Sequence, residues 1–200
     1  MENIKKIETH PFEPFLPSEA RVIMLGTFPP KPERWSMPFY YPNKINDMWR
    51  IMGLLFYADS CRFWDADNRS FKLTEIKQFL AEQRIALWDT AMKVRRLKDN
   101  ASDKFLEIVE PIDLVALFAR CPSIEGVVTA GEKATGIIAE MAGVPVPKIG
   151  ELVECNVAGH RFRLCRMPSS SRAYPLPLVQ KAEAYGKMLS AFGYQLSNNA

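Results

Sequence analysis

Short apolar runs that end at glycine or aspartate alternate along this chain with longer segments whose apolar residues recur every three or four positions. That alternation restricts the chain to folds built around a mainly parallel sheet with helical crossovers. ARVIML (20–25) is apolar and β-branched and stops at Gly26, so it reads as a buried strand, and RIALW (84–88) and EGVVTA (125–130) read the same way. Helices are expected over 44–56, with Asn43 as N-cap and Ile45, Met48, Trp49, Met52, Leu55 and Phe56 on the core face, and over 73–83, 112–121 and 132–143. ELVECNV and HRFRLCR read as a hairpin turning at Ala158–Gly159, and Pro175 opens a last helix along which Leu178, Ala182, Tyr185, Leu189 and Phe192 share a face. The expected architecture is an α/β, single-domain three-layer sandwich: a central, mainly parallel four-stranded sheet with helices on both faces. Residues 1–19 are expected to form an N-terminal extension, 20–195 the domain and 196–200 a tail.

Composition narrows the class. In 200 residues, 48% are apolar, 24% charged and 25 are Gly or Pro, which excludes collagen-like, coiled-coil and disordered chains. With a mean hydropathy of −0.13, no long charge-free apolar window suggests a membrane span. MENIKKIETHPFEPFLP has no apolar signal region, so a cytoplasmic protein is expected. Cys61, Cys121, Cys155 and Cys165 show no CxxC spacing and read as reduced, mostly buried residues; with only His10 and His160, no metal site and no His-based triad is expected. A net charge of +3 says little, but Arg95, Arg96 and Lys98 cluster, as do Arg161, Arg163, Arg166 and Arg172. These clusters fit a solvated face and also permit an anionic partner.

In parallel α/β sheets ligands bind at the carboxyl ends of the strands. Here those ends carry Gly26-Thr27-Phe28-Pro29-Pro30, then Asp89-Thr90, then Gly131-Glu132, and last Met167-Pro168-Ser169-Ser170-Ser171-Arg172. The loop after the first strand has five prolines in seventeen residues, which exclude helix and stiffen it. It also carries Phe39, Tyr40 and Tyr41 ahead of Asn43 and Asn46. Aromatic rings are stacking platforms for bases, and an asparagine amide matches a base edge. No glycine-rich phosphate loop is present, so nucleotide cofactors lose support and none is expected.

The succession LGTFPP, FYYPNKINDMWRIM, ALWDTA, VVTAGEKA and MPSSSRA resembles the uracil-DNA glycosylase superfamily, closest to its hypoxanthine (deoxyinosine) and mismatch-specific branch, over about residues 21–192. The resemblance implies a monofunctional DNA N-glycosylase acting as a monomer on DNA that contains a deaminated or mismatched base. Asn46 would be the catalytic residue that polarises the base or positions water. Thr27, Phe28, Pro29, Tyr40, Tyr41 and Asn43 would bind the base, Pro168, Ser169, Ser170, Ser171 and Arg172 would press on the DNA strand, and Asp89 is a further candidate. The chain departs from the pattern at Phe28, where other branches place a catalytic Asp or Asn, and at Met167, where classical uracil enzymes have His. Arg172 stands in place of a proline, and Thr129-Ala130-Gly131 in place of an Asn-Gly pair. Neither histidine falls on a motif position, so catalysis would rest on amide dipoles. Two other readings stay open: a non-catalytic nucleic-acid-binding module of the same fold, and an enzyme acting on a free nucleoside.

Overall fold

The apolar runs do become the parallel core of a sheet, and their ends meet at one edge. The structure is a computed structural model that describes residues 6–98 and 103–197. In chain order its first half runs β1 (Ile7–Thr9), β2 (Val22–Gly26), α1 (Met48–Tyr57), β3 (Trp64–Asp65), β4 (Ser70–Phe71), α2 (Leu73–Glu82), β5 (Ile85–Asp89) and β6 (Ala91–Arg96). The second half runs β7 (Leu106–Pro111), α3 (Leu114–Arg120), β8 (Gly126–Ala130), α4 (Glu132–Ala142), β9 (Leu152–Val157), β10 (His160–Met167) and α5 (Leu178–Ala191).

The central sheet has five strands in the order β5-β2-β8-β10-β9, so the expected count of four is corrected. β5, β2, β8 and β10 run parallel, while β9 is an antiparallel edge pinned to β10 from His160↔Val157 to Cys165↔Leu152. The extra strand follows from the turn at Ala158–Gly159: with φ of 50° and 89° it twists as a two-residue hairpin turn should, and so brings β9 back alongside β10. Side chains alternate across β2. Val22 and Met24 pack with Trp49, Met52, Leu55, Tyr185 and Leu189 under α1, α2 and α5. Ile23 and Leu25 face Leu117, Phe118 and Ile138 under α3 and α4. Each fully buried large apolar side chain contributes about 1.5–3 kcal/mol.

A second, antiparallel sheet, β1-β6-β7, was not apparent in the sequence, because AMKVRR runs into the charge cluster of Arg95, Arg96 and Lys98. It is a strand whose buried Ala91 and Val94 pack on Phe28 and Leu106. Its cations are engaged: Lys93 with Glu110 at 2.5 Å, Arg95 with Glu107 at 2.7 Å and Arg96 with Glu8 at 3.0 Å. The residues ahead of β2 are built in too, since β1 pairs with β6 and Phe15 bridges Leu87.

Three helices start later than their periodicity predicts, α3 at Leu114 instead of 112, where Asp113 Oδ1 accepts from Ala116 N–H at 2.9 Å. α1 begins at Met48, not at 44, and Ile45 is exposed, not core. The cause is tertiary: Asp47 N–H donates to Ser170 O at 2.8 Å and Asn46 bridges Ser171, so residues 43–47 are tied sideways to the serine turn. Asn43 therefore does not cap a helix; its Oδ1 accepts from Ile45 N–H at 3.1 Å. α5 begins at Leu178 because Pro177 disfavours helical backbone at Leu176. Among the described residues no helix is long and apolar enough to cross a membrane.

Candidate active site

Two clusters of side chains occupy the carboxyl edge of the central sheet. The first forms where residues 43–47 meet the turn after β10. Asn46 Oδ1 accepts from Met48 N–H at 2.9 Å. Because a backbone N–H can only donate, this bond identifies the amide oxygen and leaves Nδ2 with both protons. Asp47 stands beside it, buried, with Oδ2 at 3.0 Å from Lys181 Nζ and Oδ1 at 2.9 Å from Arg172 Nε. Lys181 is itself fully buried and also donates to Ser171 O at 2.8 Å. The Asp47 and Lys181 side chains thus clamp the asparagine loop onto the serine turn.

The turn is held from within. Ser169 Oγ accepts from Ser171 N–H at 3.2 Å, Ser171 Oγ accepts from Ala173 N–H at 3.2 Å, and Tyr185 OH donates to Pro168 O at 3.0 Å. Pro168 and Ser170 are buried, Ser169 and Ser171 half-buried, and Arg172 exposed. Asn46 and the 168–172 turn, predicted from separate motifs, are therefore neighbours in space.

The second cluster surrounds Gly26. A Cβ there would lie 2.4 Å from Asp89 Oδ1 and 4.0 Å from Tyr41 Cε1, so glycine is what lets the carboxylate reach the end of β2. Gly26→Ala is expected to expel Asp89 from this position and to cost about 1–3 kcal/mol, read by thermal denaturation beside Asp89→Asn. Asp89 is 6% exposed, and burial pushes its carboxyl above the usual range against the opposing effects of His10 and the Gly26 N–H. His10 Nε2 lies 2.8 Å from Asp89 Oδ2.

Two hydroxyls in this cluster, Thr27 Oγ1 and Tyr41 OH, are buried with no hydrogen-bond partner among the described residues. Tyr41 is also held at φ 50°, uncommon for a bulky residue, and burial beside Tyr185, Asp89 and Tyr40 pushes its phenol well up. Asp103 closes the group. Its carboxyl, raised by burial, sits near Thr27 and Asp89 but forms no hydrogen bond of normal geometry with the Thr27 hydroxyl. Lys133 Nζ fastens the Asp103 backbone at 2.9 Å and also donates to Leu106 O.

The sequence-predicted base-binding set is divided between places. Thr27 and Tyr41 lie in this second cluster. Phe28 and Pro29 line a separate cleft of about 430 Å³ with Trp35, Glu8, Ile7 and Arg96, and that cleft contains neither Asn46 nor the serines. Phe28 is 9% exposed and packed edge-on to His10 at 5.3 Å. Tyr40 is core: it is 2% exposed and its hydroxyl donates to Glu13 O at 2.8 Å. Asn43 is a half-buried turn residue at the edge of the site.

Sequence reasoning missed His10, Asp103 and the Asp47 and Lys181 clamp. A short β-like run, IET, immediately before His10 was the available signal; for Lys181, it was a cation on the apolar face of α5. His160 is structural, stacked on Phe118 at 4.0 Å and hydrogen-bonded to Ile124 O at 2.7 Å. Among the described residues no group of three or more His, Cys, Asp or Glu is placed to hold a metal ion.

No protein-family model and no curated protein matches the chain in sequence. Among solved structures it is similar to the solution NMR structure of a putative uracil DNA glycosylase from Methanosarcina acetivorans, at 21% identity with a TM-score of 0.61. The match covers 92% of this chain and 99% of the other. The chain has the three-layer α/β fold of that protein.

Proposed function

We propose that the protein is a monofunctional DNA glycosylase that takes a deaminated base, uracil or hypoxanthine, out of DNA and hydrolyses its N-glycosidic bond to leave an abasic site. The observation that carries this reading is the pair of orphaned hydroxyls on Thr27 and Tyr41 beside the buried Asp89 carboxyl, at the same sheet edge as Asn46 and the serine turn. A buried hydroxyl without a partner costs about 1–3 kcal/mol, and a bound base with exocyclic oxygens recovers that by accepting from it. An ionised Asp89 accepts from a ring N–H. Uracil and hypoxanthine offer both kinds of group on one edge. The fold likeness to a protein described as a glycosylase supports the same assignment.

Extruding the nucleotide costs a few kcal/mol, least at a mispaired base. The Ser169 to Ser171 turn and the half-exposed Arg172 contact the strand on either side of the gap. Cleavage breaks the bond between C1′ and the base nitrogen, leaving its electron pair on the base. Water then adds to C1′ and releases a proton, which neutralises the departing base. The Asn46 Nδ2 protons, fixed in direction by the Met48 N–H bond to Oδ1, donate to the base oxygen where negative charge grows. Asp47 is occupied by Lys181 and Arg172 and so positions the loop instead of activating water.

Strand scission after alkali on duplexes carrying a single uracil or hypoxanthine tests the reading. Abasic product from either is expected. Salt-dependent binding without product would favour a non-catalytic module, and turnover of free inosine or uridine without DNA would favour a nucleoside enzyme.

A further inference from the structure

We infer that His10 is a specificity-determining positioning residue: by donating to Asp89 it keeps that carboxyl a hydrogen-bond acceptor, so that the site takes bases bearing a ring N–H and refuses those without one. The inference rests on the glycosylase reading above. His10 reaches the site from the segment after β1, and the two side chains are 3% and 9% exposed with Nε2 2.8 Å from Asp89 Oδ2. Its ring is enclosed by Phe28 at 5.3 Å, Phe12 at 5.9 Å and Tyr40 at 6.1 Å, so Nε2 has no other direction to serve.

The far side of the ring is unusual in its partner. Nδ1 lies 2.9 Å from Phe12 O and 3.2 Å from Phe12 N, so the same residue presents an acceptor and a donor to it. In the neutral tautomer that carries its proton on Nε2, Phe12 N–H donates to Nδ1. With the protonated ring, Nδ1–H turns to Phe12 O and Nε2–H is kept. In these two forms Nε2–H points at Asp89, which accepts; the remaining neutral tautomer, with Nδ1–H on Phe12 O, pairs only with a protonated Asp89. The other groups facing Asp89 are the Gly26 N–H from β2, the Tyr40 and Tyr41 phenols from the proline loop and Asp103 ahead of β7. Of these only the Gly26 N–H favours the ionised form, and Asp103 opposes it. His10 is thus the one described side chain that holds Asp89 toward the carboxylate.

The chemical consequence is a choice between bases. Adenine and cytosine carry a bare ring nitrogen on the pairing edge; deamination to hypoxanthine and uracil turns it into an N–H flanked by a carbonyl. A carboxylate accepts from that N–H and repels a bare nitrogen, whereas a carboxylic acid donates to the bare nitrogen. Protonating Asp89 therefore weakens capture of the lesion and relaxes rejection of the parent base.

The experiment compares wild type, His10→Gln and His10→Phe in single-turnover excision of hypoxanthine and of mispaired adenine between pH 5 and 9, with the Asp89 carboxyl titrated by ¹³C NMR in parallel. In His10→Phe the acid limb for hypoxanthine is expected to move up by about one pH unit, about tenfold in rate on that limb, while the hypoxanthine-to-adenine ratio falls. His10→Gln, which still donates, falls between the two. Unchanged pH profiles and base ratios, with only a lower melting temperature, overturn the inference. If wild type excises nothing, the glycosylase reading fails by itself. The pairing is then decided by NMR: an upward move of the Asp89 titration in His10→Phe supports it, and an unmoved titration overturns it.

Discussion

Asn46→Ala is expected to lower the single-turnover rate of base excision by about 10²–10³-fold, the usual effect of removing one preorganised donor from a developing negative charge. The substitution also removes the acceptor for Met48 N–H at the start of α1, which costs about 1 kcal/mol of stability. Asn46→Asp separates the two effects. Its carboxylate still accepts from Met48 N–H, so the melting temperature should stay near that of wild type, while the rate falls because the Nδ2 donor is gone. Full activity in Asn46→Asp would assign the role of this side chain to the loop and not to the chemistry.

Asp47→Ala is the second large effect, and it falls on stability. Lys181 Nζ is buried and its only carboxylate partner among the described residues is Asp47 Oδ2, at 3.0 Å. Removing one member of a buried ion pair costs about 3–5 kcal/mol, because the remaining charge stays desolvated and uncompensated. At about 2–4 °C per kcal/mol for a chain of this size, the melting temperature is expected to fall by roughly 10 °C. Lys181→Met fills the same volume without a charge and leaves Asp47 with Arg172 at 2.9 Å, so a much smaller loss is expected. Equal losses in the two variants would show that packing around α5, not the ion pair, holds the serine turn in place. Excision by Lys181→Met reports whether the clamp also sets the geometry of Asn46.

The parts of the fold that were legible in the sequence are those whose burial is dictated by local pattern. Val22–Gly26, Ile85–Asp89 and Gly126–Ala130 are short, apolar and ended by residues that stop a strand, and they are three of the four parallel strands. β6 was not legible, because a strand that pairs its lysine and two arginines with acids on β7 and β1 shows the composition of a solvated charge cluster. The start of α1 was equally hidden: periodicity extends back to Ile45, and only the bonds from residues 45–47 to the serine turn show why the helix waits until Met48.

At the site, the sequence by itself determined which loops would meet, since the carboxyl ends of parallel strands converge whatever the loops contain. Asn46, Thr27, Asp89 and the 168–172 turn were proposed on that ground and through the motif resemblance. Tertiary structure alone decided which side chains face one another. It turned Tyr40 into the core, set Phe28 against β6, and joined His10 to Asp89 across seventy-nine positions. Local periodicity records whether a side chain is buried. It carries no record of the partner, because a hydrogen bond between residues so far apart in the chain is fixed by the packing of whole elements and not by the spacing of neighbours.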